Sequence, residues 1–375
     1  MRERHDRGWL LDRAARGREV RNADLTGVDL SGADLSGMTF QEVTLTGADL
    51  TGANLAEAVL MKVDLDRARL AGANLRYTLF DTGTLADARL AGAVLVETVL
   101  RGVVATGIDL SGANMYKTKG IGCDFTGADL SRAVMGEAVF HKSPFVGARM
   151  TGADLSRTVF LKCVMKEADF GQARLYRTTL YGCDLSTANL VGAHMVETIL
   201  SGADLTGQKL SGMTLTGAQM IGAKLAGADL SGADVTRCGF TDSDLTGANL
   251  ERVRGDRALF TGAKMAKARL AGASLVQATF MEAALAGADL SGAVITESYL
   301  AKMTAPGARF AGADLTYSDL SHADLTGADM TNAKLFRTLL HRVKQDKADW
   351  TGSTKPLARG DDEELRRAEE WTAPK

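Results

Sequence analysis

Proline is nearly missing, with four in 375 residues. That excludes collagen and proline-rich linkers. Cysteine is as scarce, also four, and no two form a C-x-x-C pair, so no thiolate metal centre is expected. The histidines, five in all (His5, His141, His194, His322, His341), are scattered. No run of about 18 apolar residues occurs, so no membrane-spanning helix is expected. The first residues lead into no apolar stretch of the secretory kind, and a cytoplasmic location is expected. Charge of one sign is missing too: the net charge is −2. There is no Walker loop, no dinucleotide fingerprint and no serine or threonine paired with a histidine, so neither catalysis nor a cofactor is expected.

Glycine, in contrast, is plentiful, with 41. Its spacing follows a clock of five. From Leu25 to Leu340 all but four of the positions divisible by five hold Leu, Phe, Met, Val or Ile; the exceptions are Ala105, Gly120, Gly255 and Ala305. These 64 positions contain no insertion or deletion. A small residue, usually alanine, stands two places before each. The unit reads A-(D/N)-L-x-G, as in Ala48, Asp49, Leu50, Thr51 and Gly52.

A period of five fits neither a helix nor an ordinary strand. It fits a chain that turns a corner every five residues, so that four units close a coil of twenty. The central residue and the alanine before it then point inward. Coils stack about 4.8 Å apart through strand-like hydrogen bonds. Glycine suits the corners, where positive φ is needed, and 31 of the 41 stand two places after a central residue. Proline is scarce because coil stacking uses the backbone N–H groups.

The repeat resembles the pentapeptide-repeat family across residues 21–350. That resemblance implies an all-β fold, a right-handed quadrilateral parallel β-helix of about 16 coils, or a rod of about 75–80 Å. The expected organisation is a helical N-terminal cap at 1–20, one solenoid domain at 21–350, and a linker with a short acidic helix at 351–375.

Residues twenty apart stack on one face. Seven of the twelve phenylalanines share one inward column: Phe40, Phe80, Phe140, Phe160, Phe240, Phe260 and Phe280. A buried threonine ladder (Thr78, Thr98, Thr118, Thr158, Thr178, Thr198) runs beside it. Gly120 and Gly255 should leave cavities or a bend. Cys123, Cys163, Cys183 and Cys238 replace inward alanines. His322 and His341 fall near each other at the C-terminal end, but two histidines without a carboxylate or thiolate partner make a poor metal site.

One outward face stands apart. Its turn positions almost lack glycine, it carries β-branched residues, and all six tyrosines lie on it or on the corner that follows. β-propensity explains the valines and threonines. An interaction surface explains the tyrosines better, with Tyr77, Tyr116, Leu161, Tyr176, Tyr181, Ile199 and Ile221 as its candidate residues. At the ends, Trp9, Trp350, Leu365 and Trp371 are candidates for capping the open coils or for docking.

The function expected is therefore a non-enzymatic scaffold or adaptor for a protein partner. A second copy could pair through an end or through the aromatic face. The tail from Arg367 to Pro374 also resembles pentapeptide-repeat proteins encoded with bacterial type VI secretion systems, which implies an effector-loading adaptor. The alternative implied by the family is mimicry of a DNA duplex at DNA gyrase, giving topoisomerase inhibition or quinolone protection. A duplex carries about one negative charge per 1.7 Å of axis, whereas the aspartate column here is interrupted by Arg69, Arg89 and Arg149. No continuous basic stripe exists, so direct binding of nucleic acid is not expected; nor is binding to a membrane.

Overall fold

The computed structural model describes residues 3–17 and 19–371, in two compact units, residues 1–199 and 200–375. Each is a parallel β-solenoid with a repeat of twenty. In the first unit, strand β1 (Glu3–Arg4) pairs with β3 (Ala23–Asp24), and helix α1 (Arg7–Ala15) joins them along the chain. A nine-stranded parallel sheet follows. It comprises β2 (Val20–Arg21), β4 (Thr39–Gln41), β5 (Val59–Asp64), β6 (Leu79–Thr84), β7 (Val99–Val104), β8 (Lys119–Ile121), β9 (Val139–His141), β10 (Val159–Leu161) and β11 (Thr179–Tyr181). In the second unit, register is kept by single bridges such as Asp204↔Lys224 and Leu339↔Arg359. That unit ends in a 3₁₀ turn (Lys355–Leu357) and helix α2 (Glu363–Glu370).

The backbone accounts for the proline shortage. Each central N–H donates to the next coil, as Leu25 to the Thr44 carbonyl at 2.8 Å. The N–H before it donates to the previous coil, as Asp49 to Val28 at 3.0 Å, and Ala48 closes its corner onto Leu45 at 3.0 Å. The residue after the centre donates only to a side chain, as Thr51 to Asp49 Oδ1 at 3.0 Å. Pro306 occupies that slot, where no coil bond is lost.

The following slot has positive φ from Asn22 to Gly352, except at Thr187. Gly27 lies at 67°, but 34 non-glycine residues also adopt φ of 50–61° there. The left-handed conformation costs a residue with a Cβ about 1–2 kcal/mol. The corner geometry is therefore imposed by coil stacking and not by glycine alone.

The core is tightly filled. Phe125, Phe140, Phe145 and Phe160 stack or meet edge to face at 4.9–5.6 Å. The cavities expected at Gly120 and Gly255 are absent. A Cβ at Gly120 would stand 2.5 Å from the Phe140 ring, and one at Gly255 would stand 2.9 Å from Leu275 Cδ2. Neighbouring side chains have taken the space. The buried threonines are satisfied: Thr158 Oγ1 donates to the Met135 carbonyl and Thr178 Oγ1 to Leu155, both at 2.7 Å. All four cysteines are buried free thiols. Burial pushes the Cys238 thiol up to about 12.

The ends correct two expectations. Leu10, not Trp9, is the residue of α1 buried on the solenoid. Trp9 is only half-buried, sandwiched between His5 at 3.6 Å and the Arg13 guanidinium at 4.4 Å. At the other end Trp350 is half-buried beneath Lys355 Nζ at 4.3 Å. α2 buries no side chain at all, and Leu365 and Trp371 face outward. Their apolar edge does not cover a coil, because α2 meets the solenoid through charged and polar groups.

Candidate interaction face

In a three-residue strand of this coil the middle side chain points inward and its two neighbours point out. The outward pairs of β8 to β11 form a strip: Lys119 and Ile121, Val139 and His141, Val159 and Leu161, Thr179 and Tyr181. Val159 pairs with Val139 and Thr179, Leu161 pairs with His141 and Tyr181, and Thr179 bridges to Ile199. Cross-strand neighbours stand close enough to form one surface. Ile121, Tyr181 and Ile199 are exposed, and the valines and Leu161 are half-buried.

Beside this strip runs the left-handed slot of the same face. In eight consecutive coils it holds no glycine: Glu57, Tyr77, Glu97, Lys117, Glu137, Arg157, Arg177 and Glu197, with φ of 54–61°. Arg177 Nε donates to Glu197 Oε2 at 2.5 Å and lies 5.1 Å from the Tyr176 ring. Lys117 stands over Tyr116 at 5.1 Å.

The structure thus makes Leu161 and Tyr181 cross-strand neighbours and bridges Ile199 to Thr179 in the same strip, with Tyr176 at the corner before it beside Arg177. Tyr116 lies three coils before Tyr176, and Tyr77 is five coils from Arg177 in the same slot. Ile221, also exposed, belongs to the second unit. That unit has its own apolar cluster. Tyr317 and Phe336 meet edge to face at 5.7 Å, beside a cleft of about 600 Å³ lined by Tyr317, Arg337, Leu339 and Arg359. Phe336 follows a central leucine, and that outward slot was the available signal for it.

Comparison with known proteins agrees with the repeat. Models of pentapeptide repeats match residues 20–39, 39–76, 84–119, 121–157, 198–237, 238–275, 258–296, 295–332 and 306–342 (8 copies) and 145–189 (9 copies). The chain belongs to the pentapeptide-repeat family. Among solved structures it is similar to HetL, a pentapeptide-repeat protein involved in heterocyst differentiation regulation in the cyanobacterium Nostoc. Identity is 26%, coverage is 66% of this chain and 97% of HetL, and the TM-score is 0.34. Rfr23 from the cyanobacterium Cyanothece is 26% identical over 32% of this chain and 91% of its own, with a TM-score of 0.25. QnrB1, a plasmid-mediated fluoroquinolone resistance protein, is 18% identical over 53% and 88%, with a TM-score of 0.31. No curated protein matches the chain. No helix among the described residues is long and apolar enough to cross a membrane.

The aspartates of this pentapeptide-repeat chain hold its corners. Asp49 Oδ1 accepts from the Thr51 hydroxyl at 2.6 Å and its N–H at 3.0 Å, and Arg69 reaches Oδ2 at 2.7 Å. The Thr51 hydroxyl, then its N–H, and after them the Arg69 charge hold the Asp49 carboxyl below its usual range, against the opposing effect of burial. Interrupting cations neutralise the column locally, as Arg149 with Asp129 at 3.3 Å and Arg309 with Asp289 at 3.9 Å.

One cluster was only half legible in the sequence. His322 and His341 do meet, with ring centroids 5.4 Å apart. α2 then supplies the carboxylate that seemed missing. Glu369 Oε1 lies 2.8 Å from His322 Nε2, and Oε2 lies 3.4 Å from His341 Nε2. Residue 369 lies outside the repeat register, so no periodicity pointed to it. The tail likeness to type VI-associated proteins includes Thr372, Ala373 and Pro374, which lie outside the described residues.

Proposed function

We propose that this chain is a non-enzymatic scaffold that binds a protein partner on the outward face of β8 to β11. The observation that supports this reading is the apolar strip of Ile121, Val159, Leu161, Tyr181 and Ile199, bordered by charged side chains held in left-handed backbone. Glycine would relieve that strain, yet none occurs there in eight consecutive coils. A rigid sheet also loses little conformational entropy when it binds. Duplex mimicry at gyrase would call for a continuous acidic face, and the alternation of Asp49 with Arg69 and Asp129 with Arg149 speaks against it.

The test places a photocrosslinking residue at Val159 on the strip, and in a control at Thr187 on another face. Crosslinks to one defined protein from Val159 alone support the face. The triple variant Tyr176→Asp, Tyr181→Asp and Ile199→Asp should keep its circular dichroism and lose that partner. Capture that survives the triple variant would place the partner elsewhere. Inhibition of gyrase supercoiling by the purified chain would favour duplex mimicry instead.

A further inference from the structure

We propose that His322, His341 and Glu369 bind a late first-row divalent cation, zinc foremost, and that the cation fastens α2 to the solenoid. The three donor atoms all lie within 4.8 Å of one another. Zinc bonds of about 2.0–2.2 Å to nitrogen and oxygen place tetrahedral ligands about 3.3–3.5 Å apart. The Glu369–His341 contact of 3.4 Å matches that spacing, and the Glu369–His322 contact of 2.8 Å opens by about half an ångström to reach it. Two imidazoles and one carboxylate suit zinc, nickel or copper, whereas magnesium and calcium prefer oxygen alone. Glu369 faces the solenoid yet keeps 34% of its side chain exposed, which leaves water access to a fourth position.

The surroundings say what binding must change. The Asp362 N–H donates to His341 Nδ1 at 3.0 Å, so the ring proton sits on Nε2 and faces Glu369. A cation at Nε2 replaces that proton, and the neutral ring then carries its proton on Nδ1. Asp361 Oδ1, 3.8 Å from Nδ1, is the acceptor it needs. The exchange requires a small shift at the start of α2. Arg342 competes for Glu369 at 3.2 Å but also pairs with Glu370 at 2.5 Å, so it keeps a partner when the cation arrives. The four cysteines are buried in the first unit or within the core of the second and offer no rival site near the tail.

The consequence is measurable because burial does not attach α2. The untagged full chain, stripped with chelator, is titrated calorimetrically with Zn²⁺, and Co²⁺ absorption reports the coordination geometry. We expect one equivalent per chain, a tetrahedral Co²⁺ spectrum, and slower tryptic cleavage at Arg366 and Arg367 when zinc is present. His322→Ala and Glu369→Gln, which spare the buried His341, should each weaken binding at least about tenfold and abolish the protection. Asp361→Asn should weaken it less. An absence of bound zinc overturns the proposal, as does binding that is unchanged in both His322→Ala and Glu369→Gln.

Discussion

The two units keep the same five-residue clock, yet only the first builds extended strands. The difference starts at one corner. In the second unit alanine usually stands three places after the centre of this face, and its N–H closes a tight turn: Ala203 onto Leu200 and Ala263 onto Phe260, both at 3.0 Å. After the centres of β5 to β10 of the first unit that slot holds Val63, Gly83, Val103, Cys123, Ser143 and Cys163. There Val63↔Gly83 and Gly83↔Val103 carry parallel pairing past the corner, and the Cys123 N–H turns to Ser143 Oγ in the next coil. β-branched residues favour extended backbone. This inward slot accompanies the difference but does not set it by residue type alone, because the Cys183 and Ser243 N–H groups close turns onto Leu180 and Phe240 with residue types also found at the open corners. The apolar strip of β8 to β11 lies on extended strands, whereas on the same face of the second unit the exposed Leu259 and Tyr299 sit on single bridges.

The largest expected effect comes from adding bulk at the two inward glycines, whose space neighbouring side chains already fill. Gly120→Val in the first unit and Gly255→Val in the second should each destabilise by about 1–3 kcal/mol, read as a lower urea midpoint. A neutral result at Gly120 would mean that Phe140 can move aside, and that the first unit is more loosely packed than the second.

Next in size is the hydroxyl ladder. Thr158→Val keeps the shape but removes the bond to the Met135 carbonyl, and should cost about 0.5–1.5 kcal/mol. Ser298→Ala removes the corresponding bond to Leu275 in the second unit and should cost about the same. A tenfold disparity in unfolding constants between the two would show that the ladder matters more beneath the sheet than beneath the turns.

Acid should affect both units alike. The Asp49 carboxyl in the first and the Asp229 carboxyl in the second are held below their usual range, chiefly by the hydroxyls of Thr51 and Ser231. A depressed carboxylate stabilises fully above the unfolded value of about 3.9. That contribution is lost as pH falls through the lower folded values. Melting temperature should therefore hold steady down to about pH 4 and then fall; a decline that begins near neutrality would contradict it. The smallest effect concerns the rim: Arg177→Ala breaks an exposed pair with Glu197 and should leave the melting temperature unchanged, while weakening partner capture if the rim takes part in binding.

Much of this was readable in the residues. The inward columns from Leu25 to Leu335, the threonine ladder and the outward strip follow from counting by five and twenty. Three features were not. Phe140 fills the place at Gly120, because ring orientation depends on neighbours and not on register. Trp371 faces outward, because α2 is held by polar contacts. Glu369 meets His322 and His341, because the chain leaves its clock before it folds back.

The sequence by itself determined the coil: a strict period of five admits only one way to bury leucine and alanine while satisfying each backbone N–H. Only the tertiary structure decided which corners open into strands and what the tail touches. Those outcomes rest on contacts between residues twenty or more apart, or outside the repeat, where local spacing carries no information.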